Sequence, residues 1–126
     1  MAPIRGKLSG VASVDLQGDE VVIRLTPIEK LGALHGDLSV PRAAVRAVDI
    51  EPQPFSKLRG LRAPGTGWPG RIALGTWRKR GGKKDFVAVY RGRPAVVLTL
   101  DDDAGYDRLV ISVDSPDEVR RVLTVV

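Results

Sequence analysis

The sequence predicts a single, mainly β domain, an α+β fold by element count, with about seven short strands and one C-terminal helix. Three observations carry this. Apolar residues alternate with polar ones over short runs, the period of a half-buried strand. Gly, Pro and Asp clusters punctuate those runs at close intervals. The end of the chain instead repeats apolar residues at helical spacing behind a capping sequence. With 126 residues, 43% of them hydrophobic, the chain is expected to fold as one domain over 1–126 and to bury a single core without staples. An antiparallel sheet of this size must bend, close or pack on itself to hide its edges. The expectation is therefore a bent antiparallel sheet or partly open barrel, with the helix capping one end.

The elements follow in order. Residues 1–8 are expected to form a flexible N-terminus. In VASVDLQGDEVVIRLT, Ala12, Val14 and Leu16 alternate with polar neighbours, and Val21, Ile23 and Leu25 do so beyond residues 17–20. This predicts two strands around a turn. IEKLGALHG fits either a helical turn or a loop closed by Gly36. LSVPRAAVRAVDIE predicts a short strand over 38–40 and another over 45–51, split at Pro41, which cannot donate to a central ladder. Residues 52–70 hold Pro52, Pro54, Pro64 and Pro69 with Gly60, Gly65, Gly67 and Gly70, which predicts a long irregular loop. Strands are then expected over 71–80, 83–90, 95–100 and 106–113. Gly81 and Gly82 suit a two-residue hairpin turn, which would set Arg80 opposite Lys83, Lys79 opposite Lys84 and Arg78 opposite Asp85. The same register sets Trp77 opposite Phe86 and Gly75 opposite Ala88. Finally, SPDE places Ser115 at the N-cap, Pro116 at the first helical position and Glu118 at the third. Val119, Val122, Leu123 and Val126 mark the apolar face, and Arg120 and Arg121 sit late, where cations suit the macrodipole.

Charge is unevenly placed. The net charge is +5, but residues 57–93 hold eleven cations against one acid, Asp85. The cations are Lys57, Arg59, Arg62, Arg71, Arg78, Lys79, Arg80, Lys83, Lys84, Arg91 and Arg93. Such a chain can present one positive and one negative face. There is no cysteine, which removes disulfides, thiolate nucleophiles and zinc–thiolate sites. No apolar run reaches the length of a membrane span and residues 1–11 lack a signal-peptide core, so a cytoplasmic protein is expected.

VPRAAVRAVDIE, GTGWPGRIALGTWR, KDFVAVYRGRPAVVLTL and YDRLVISVDSPDEVRRVL resemble bacterial pleckstrin-homology-like domains of actinobacterial type, over roughly residues 9–126. The resemblance implies a split, strongly bent sheet capped by the helix, and a binding or assembly role with no catalytic signature. Lipid-binding pleckstrin-homology domains grip phosphates with cations on an early hairpin. Here the corresponding turn is QGDE, with Asp19 and Glu20 and no cation, so those binding residues do not carry over.

Like charges opposite one another in a ladder are mildly unfavourable, and at an exposed tip water and salt screen them. TWRKRGGKKDF therefore reads as a wet, aggregation-resistant tip or as an anion cradle. The candidate anion-binding residues are Arg59, Arg62, Arg78, Lys79, Arg80, Lys83 and Lys84. Phe55, Leu58 and Trp68 are the candidate membrane or partner contacts. The partners to test are another protein or a second copy of the chain, and an acidic membrane surface on the inner face. Nucleic acid is the weaker candidate, because aromatic residues make up only 5% of the chain. An enzyme is not expected: His35 is the only histidine, and nucleophile-elbow, triad and phosphate-loop patterns are missing. Asp101, Asp102, Asp103 and Asp107 lack calcium-loop spacing and read as a polar turn, so no metal, cofactor or small-molecule substrate is expected.

Overall fold

In the computed structural model, residues 12–26, 29, 36–53, 61–68, 72–78, 84–90, 92–101 and 105–124 are described; for 61–68, 72, 73 and 78 the description covers the backbone. The protein is mainly β. In chain order it has β1 (Ser13–Gln17), β2 (Glu20–Arg24), β3 (Leu38–Pro41), a short 3-10 turn (Arg42–Ala44) and β4 (Val45–Glu51). Then come β5 (Leu61–Trp68), β6 (Ile72–Arg78), β7 (Lys84–Tyr90), β8 (Ala95–Leu100), β9 (Arg108–Ser112) and the helix α1 (Pro116–Thr124). The strands form two sheets, one ordered β1-β2-β3 and one of six strands ordered β4-β8-β9-β7-β6-β5. Neither sheet closes into a barrel.

The first sheet follows the alternation read from the sequence. Val14, Val21, Ile23, Leu38 and Val40 are buried, while Asp15, Arg24 and Ser39 face water. Gly18, at φ 60°, opens the two-residue turn between Gln17 and Glu20. Pro41 ends β3, and the Arg42 amide donates to the Asp19 carbonyl at 2.7 Å, tying the two corners together.

The second sheet is buried on both faces at its centre. Phe86 and Ala88 from β7, Val96 and Leu98 from β8, and Leu109 and Ile111 from β9 join the first sheet in the main core. The residues between them, Val87, Val89, Ala95, Val97 and Val110, form a second apolar layer with Trp77 against it. That is why KDFVAVY, AVVLTL and RLVIS read as nearly continuous apolar runs rather than as alternating ones. The expected all-antiparallel sheet is corrected here: β9 runs parallel to β7 and antiparallel to β8, lying between them. The short connection after Tyr90 therefore spans the width of an intervening strand. Ser112, fully buried, closes the split: its Oγ accepts from the Tyr90 amide at 3.1 Å and donates to the Arg93 carbonyl at 3.2 Å.

Two further expectations change. Within 52–70, Leu61–Trp68 is an eight-residue strand pairing antiparallel with β6. Pro64 is tolerated because β5 is an edge strand and the register shifts between Arg62 and Gly65, a bulge that leaves the proline outside the ladder. The β6–β7 hairpin is also one residue out of the expected register. Arg78 opposes Lys84, Trp77 opposes Asp85, Thr76 opposes Phe86 and Gly75 opposes Val87, where a two-glycine turn would set each opposite the residue one further on. A one-residue slip moves every side chain to the other face. The observed register sets the small Thr76 beside the fully buried Phe86 and sends Trp77 to the second layer.

The helix begins where SPDE placed it. The Ser115 carbonyl accepts from the amides of Glu118 and Val119, both at 3.1 Å, and the Glu118 carboxylate turns to Arg121 at 3.8 Å. The helix packs against β1, β4 and β8 through Leu123, which is fully buried, and Val119, which is half-buried. Val122, expected on that face, is instead exposed at 38%. Among the described residues no helix is long and apolar enough to cross a membrane.

Candidate functional site

Of the candidate anion-binding residues, the described ones, Arg62, Arg78 and Lys84, fall at one end of the six-stranded sheet. Backbone register builds two adjacent rungs there. The outer rung runs Leu61–Arg78–Lys84 across β5, β6 and β7. The next runs Arg62–Trp77–Asp85–Arg108 across β5, β6, β7 and β9. Residues opposite one another in a rung sit on one face, and successive rungs alternate faces. Arg78 and Lys84 therefore share the face of Phe86, and Arg62 shares that of Trp77. Three cations from three strands stand at this end, Arg78 and Lys84 on one rung and Arg62 on the next, which presents the opposite face. Arg59, Lys79, Arg80, Lys83, Phe55 and Leu58 lie outside the described residues, as does His35.

The structure separates other members of the set. Trp68 pairs with Ile72 at the opposite end of β5. Six residues of strand separate it from Arg62, on the order of 20 Å. Trp68 is thus not an apolar anchor for the basic end. Arg93 lies beyond the far end of β7 and pairs with Asp114 at 3.3 Å. Among the described cations of 57–93, Arg93 therefore stands away from Arg62, Arg78 and Lys84.

Within the basic end, two side chains are held in place. The Lys84 ammonium lies 4.8 Å from the centre of the Tyr106 ring, which meets Phe86 edge-on at 6.1 Å. A cation over an aromatic face is stabilised by the ring quadrupole, which offsets part of its repulsion by Arg78. Asp85, the one acid of the segment, is fully buried and takes both a 3.1 Å bond from Nε and a 2.8 Å bond from Nη2 of Arg108. Arg108 was not among the sequence candidates. It follows the acidic turn in sequence and reaches this end only because β9 inserts beside β7.

A second buried polar group sits at the far end of β7. Glu29 is fully buried; its carboxylate accepts from the Thr26 amide at 2.8 Å and from the Tyr90 hydroxyl at 2.9 Å. In return the Glu29 amide donates to Thr26 Oγ1 at 3.2 Å. This is a capping box on TPIE, the same signature as SPDE. Burial holds the Glu29 carboxyl above the ordinary carboxylate range, against the opposing pull of its hydrogen bonds. Burial, and then the neighbouring Glu29, push the Tyr90 phenol up. These groups tie the Thr26 segment to the sheet. In the acidic turn, Asp101 pairs with Arg46 at 3.1 Å, and Asp102 and Asp103 lie outside the described residues.

Compared with protein-family models, curated proteins and solved structures, the chain matches none.

Proposed function

We propose that the protein is a non-catalytic binding module of pleckstrin-homology-like type whose basic sheet end engages an anionic partner. The resemblance read from the sequence supports a module reading. The observation that carries the ligand class is the β6–β7 rung that sets Arg78 opposite Lys84 at one sheet end, with Arg62 at the same end on the other face. Two like charges on one rung repel, and a bound anion relieves that repulsion while offering each cation a partner. The surface reading fits an acidic lipid headgroup layer at the inner face of a membrane better than a base-stacking platform. Trp77, the described aromatic in these rungs, is packed against the second apolar layer and serves the sheet.

An assembly domain without a small ligand would use the open sheet edges. Both edge strands of the larger sheet carry a register shift, between Val45 and Ala47 in β4 and between Arg62 and Gly65 in β5. Bulges and an edge proline oppose strand addition. The binding reading is therefore preferred.

Sedimentation with vesicles containing phosphatidylglycerol, against neutral vesicles and duplex DNA at low salt, tests it. Binding to the acidic vesicles that falls steeply with salt is expected. The pair Arg78→Gln and Lys84→Gln should weaken it and flatten its salt dependence. No binding to any of the three sinks the reading; binding to DNA alone reassigns the partner.

A further inference from the structure

We propose that Arg108 sets the anion affinity of the basic sheet end by cancelling the charge of Asp85; this rests on the binding reading above. Asp85 is the only acid within 57–93. It follows Lys84 directly and stands on the rung Arg62–Trp77–Asp85–Arg108. Neighbouring strands lie about 4.8 Å apart, which sets Asp85 on the order of 10 Å from Arg62 along that rung. This is comparable with a Debye length of about 8–10 Å. A lone carboxylate there would oppose an anion held by the adjacent Arg78–Lys84 rung.

Arg108 removes that opposition. Its Nε and Nη2 both donate to Asp85 Oδ2, and the pair is closed off from water, with side-chain exposures of 12% for Arg108 and 0% for Asp85. The planar guanidinium suits a carboxylate held in a strand. An apolar pair of similar volume packs at least as well as an ion pair in such a place. What the charged pair adds is a fixed, paired charge next to the cations, and Arg108 supplies it from a strand outside the cation-rich segment. Arg108 is thus a positioning residue for charge, with the Arg78–Lys84 rung left to meet the ligand.

The test is vesicle binding of the full chain at low salt, with phosphatidylglycerol vesicles as the probe. Asp85→Asn leaves the guanidinium uncancelled, and should tighten binding about two- to fivefold. Combining Asp85→Asn with Arg108→Gln restores neutrality and should return affinity to that of the parent. Where asparagine at this buried position lowers stability too far, Asp85→Thr makes the same charge change with a residue that favours strands. A folded Asp85 variant with unchanged or weaker binding overturns the proposal and leaves the binding reading standing. A parent protein that ignores the vesicles overturns both.

Discussion

Glu29 and Tyr90 meet across 61 residues of sequence, and their bond fixes the start of the Thr26 segment to the last residue of β7. The Leu25 amide donates to the Asp37 carboxylate at 2.8 Å, so the chain leaving β2 and the chain entering β3 are fastened to each other. The Glu29 carboxyl is raised above its unfolded value of 4.5, chiefly by burial. The fold then binds this proton more tightly than the unfolded chain does. Its stabilising contribution is complete below the unfolded value and is lost as pH rises through the folded one. Glu29→Gln cannot ionise. Its stability relative to the parent should therefore rise as pH climbs above the unfolded value of 4.5, read from urea titrations at each pH. A constant difference would show that burial does not shift this carboxyl. At this scale the sequence was half legible. SPDE was read as a helix start, whereas TPIE, with the same pattern, sat in a stretch left open between helical turn and loop. That it is a capping box shows in the reciprocal bonds of Thr26 and Glu29. The burial of Glu29 depends on Tyr90, which no local pattern reveals.

Strand periodicity located most elements, because alternation is written into neighbouring residues. Register is not local, and there the reading failed. Gly81 and Gly82 invited a two-residue turn, yet Arg78 opposes Lys84 rather than Asp85. Gly75 is buried in the middle of β6 with φ at 138°, a conformation that side-chain-bearing residues avoid. It pairs with Gly65 on one side and Val87 on the other, next to the bulge of β5. Glycine at 75 lets the strand twist where the extra β5 residue must be absorbed. Gly75→Ala should therefore cost about 1–3 kcal/mol, measured as a lowered urea midpoint at constant m-value. Substitution with no loss would remove the glycine's role in the register. The β5 strand itself was hidden by its prolines and glycines, which signal a loop until an edge position makes them acceptable.

At the scale of the molecule, the apolar runs announced a mainly β protein and the terminal pattern announced its helix. The order of strands was not announced, because hydrophobic runs say how deeply a strand is buried and nothing about which neighbour it meets. The candidate site inherits this limit. Arg62, Arg78 and Lys84 could be named from charge alone, but Arg108 could not, and Trp68 was grouped with residues that lie a strand length away. The three-residue contribution of β9 at the centre, Leu109, Val110 and Ile111, is fully buried. A chain ending before Arg108 would expose the flanks of both β7 and β8. Such a truncation should lack a cooperative thermal transition and the near-ultraviolet signal of packed aromatic residues.

The place of β9 also orders events in time. During synthesis β7 and β8 leave the ribosome before the strand that lies between them in the finished sheet. Until Ser112 has emerged, the ladders that β9 makes with both are not available, and the acid of the basic end waits without its guanidinium. The protein is assembled like an arch, with its keystone cut last.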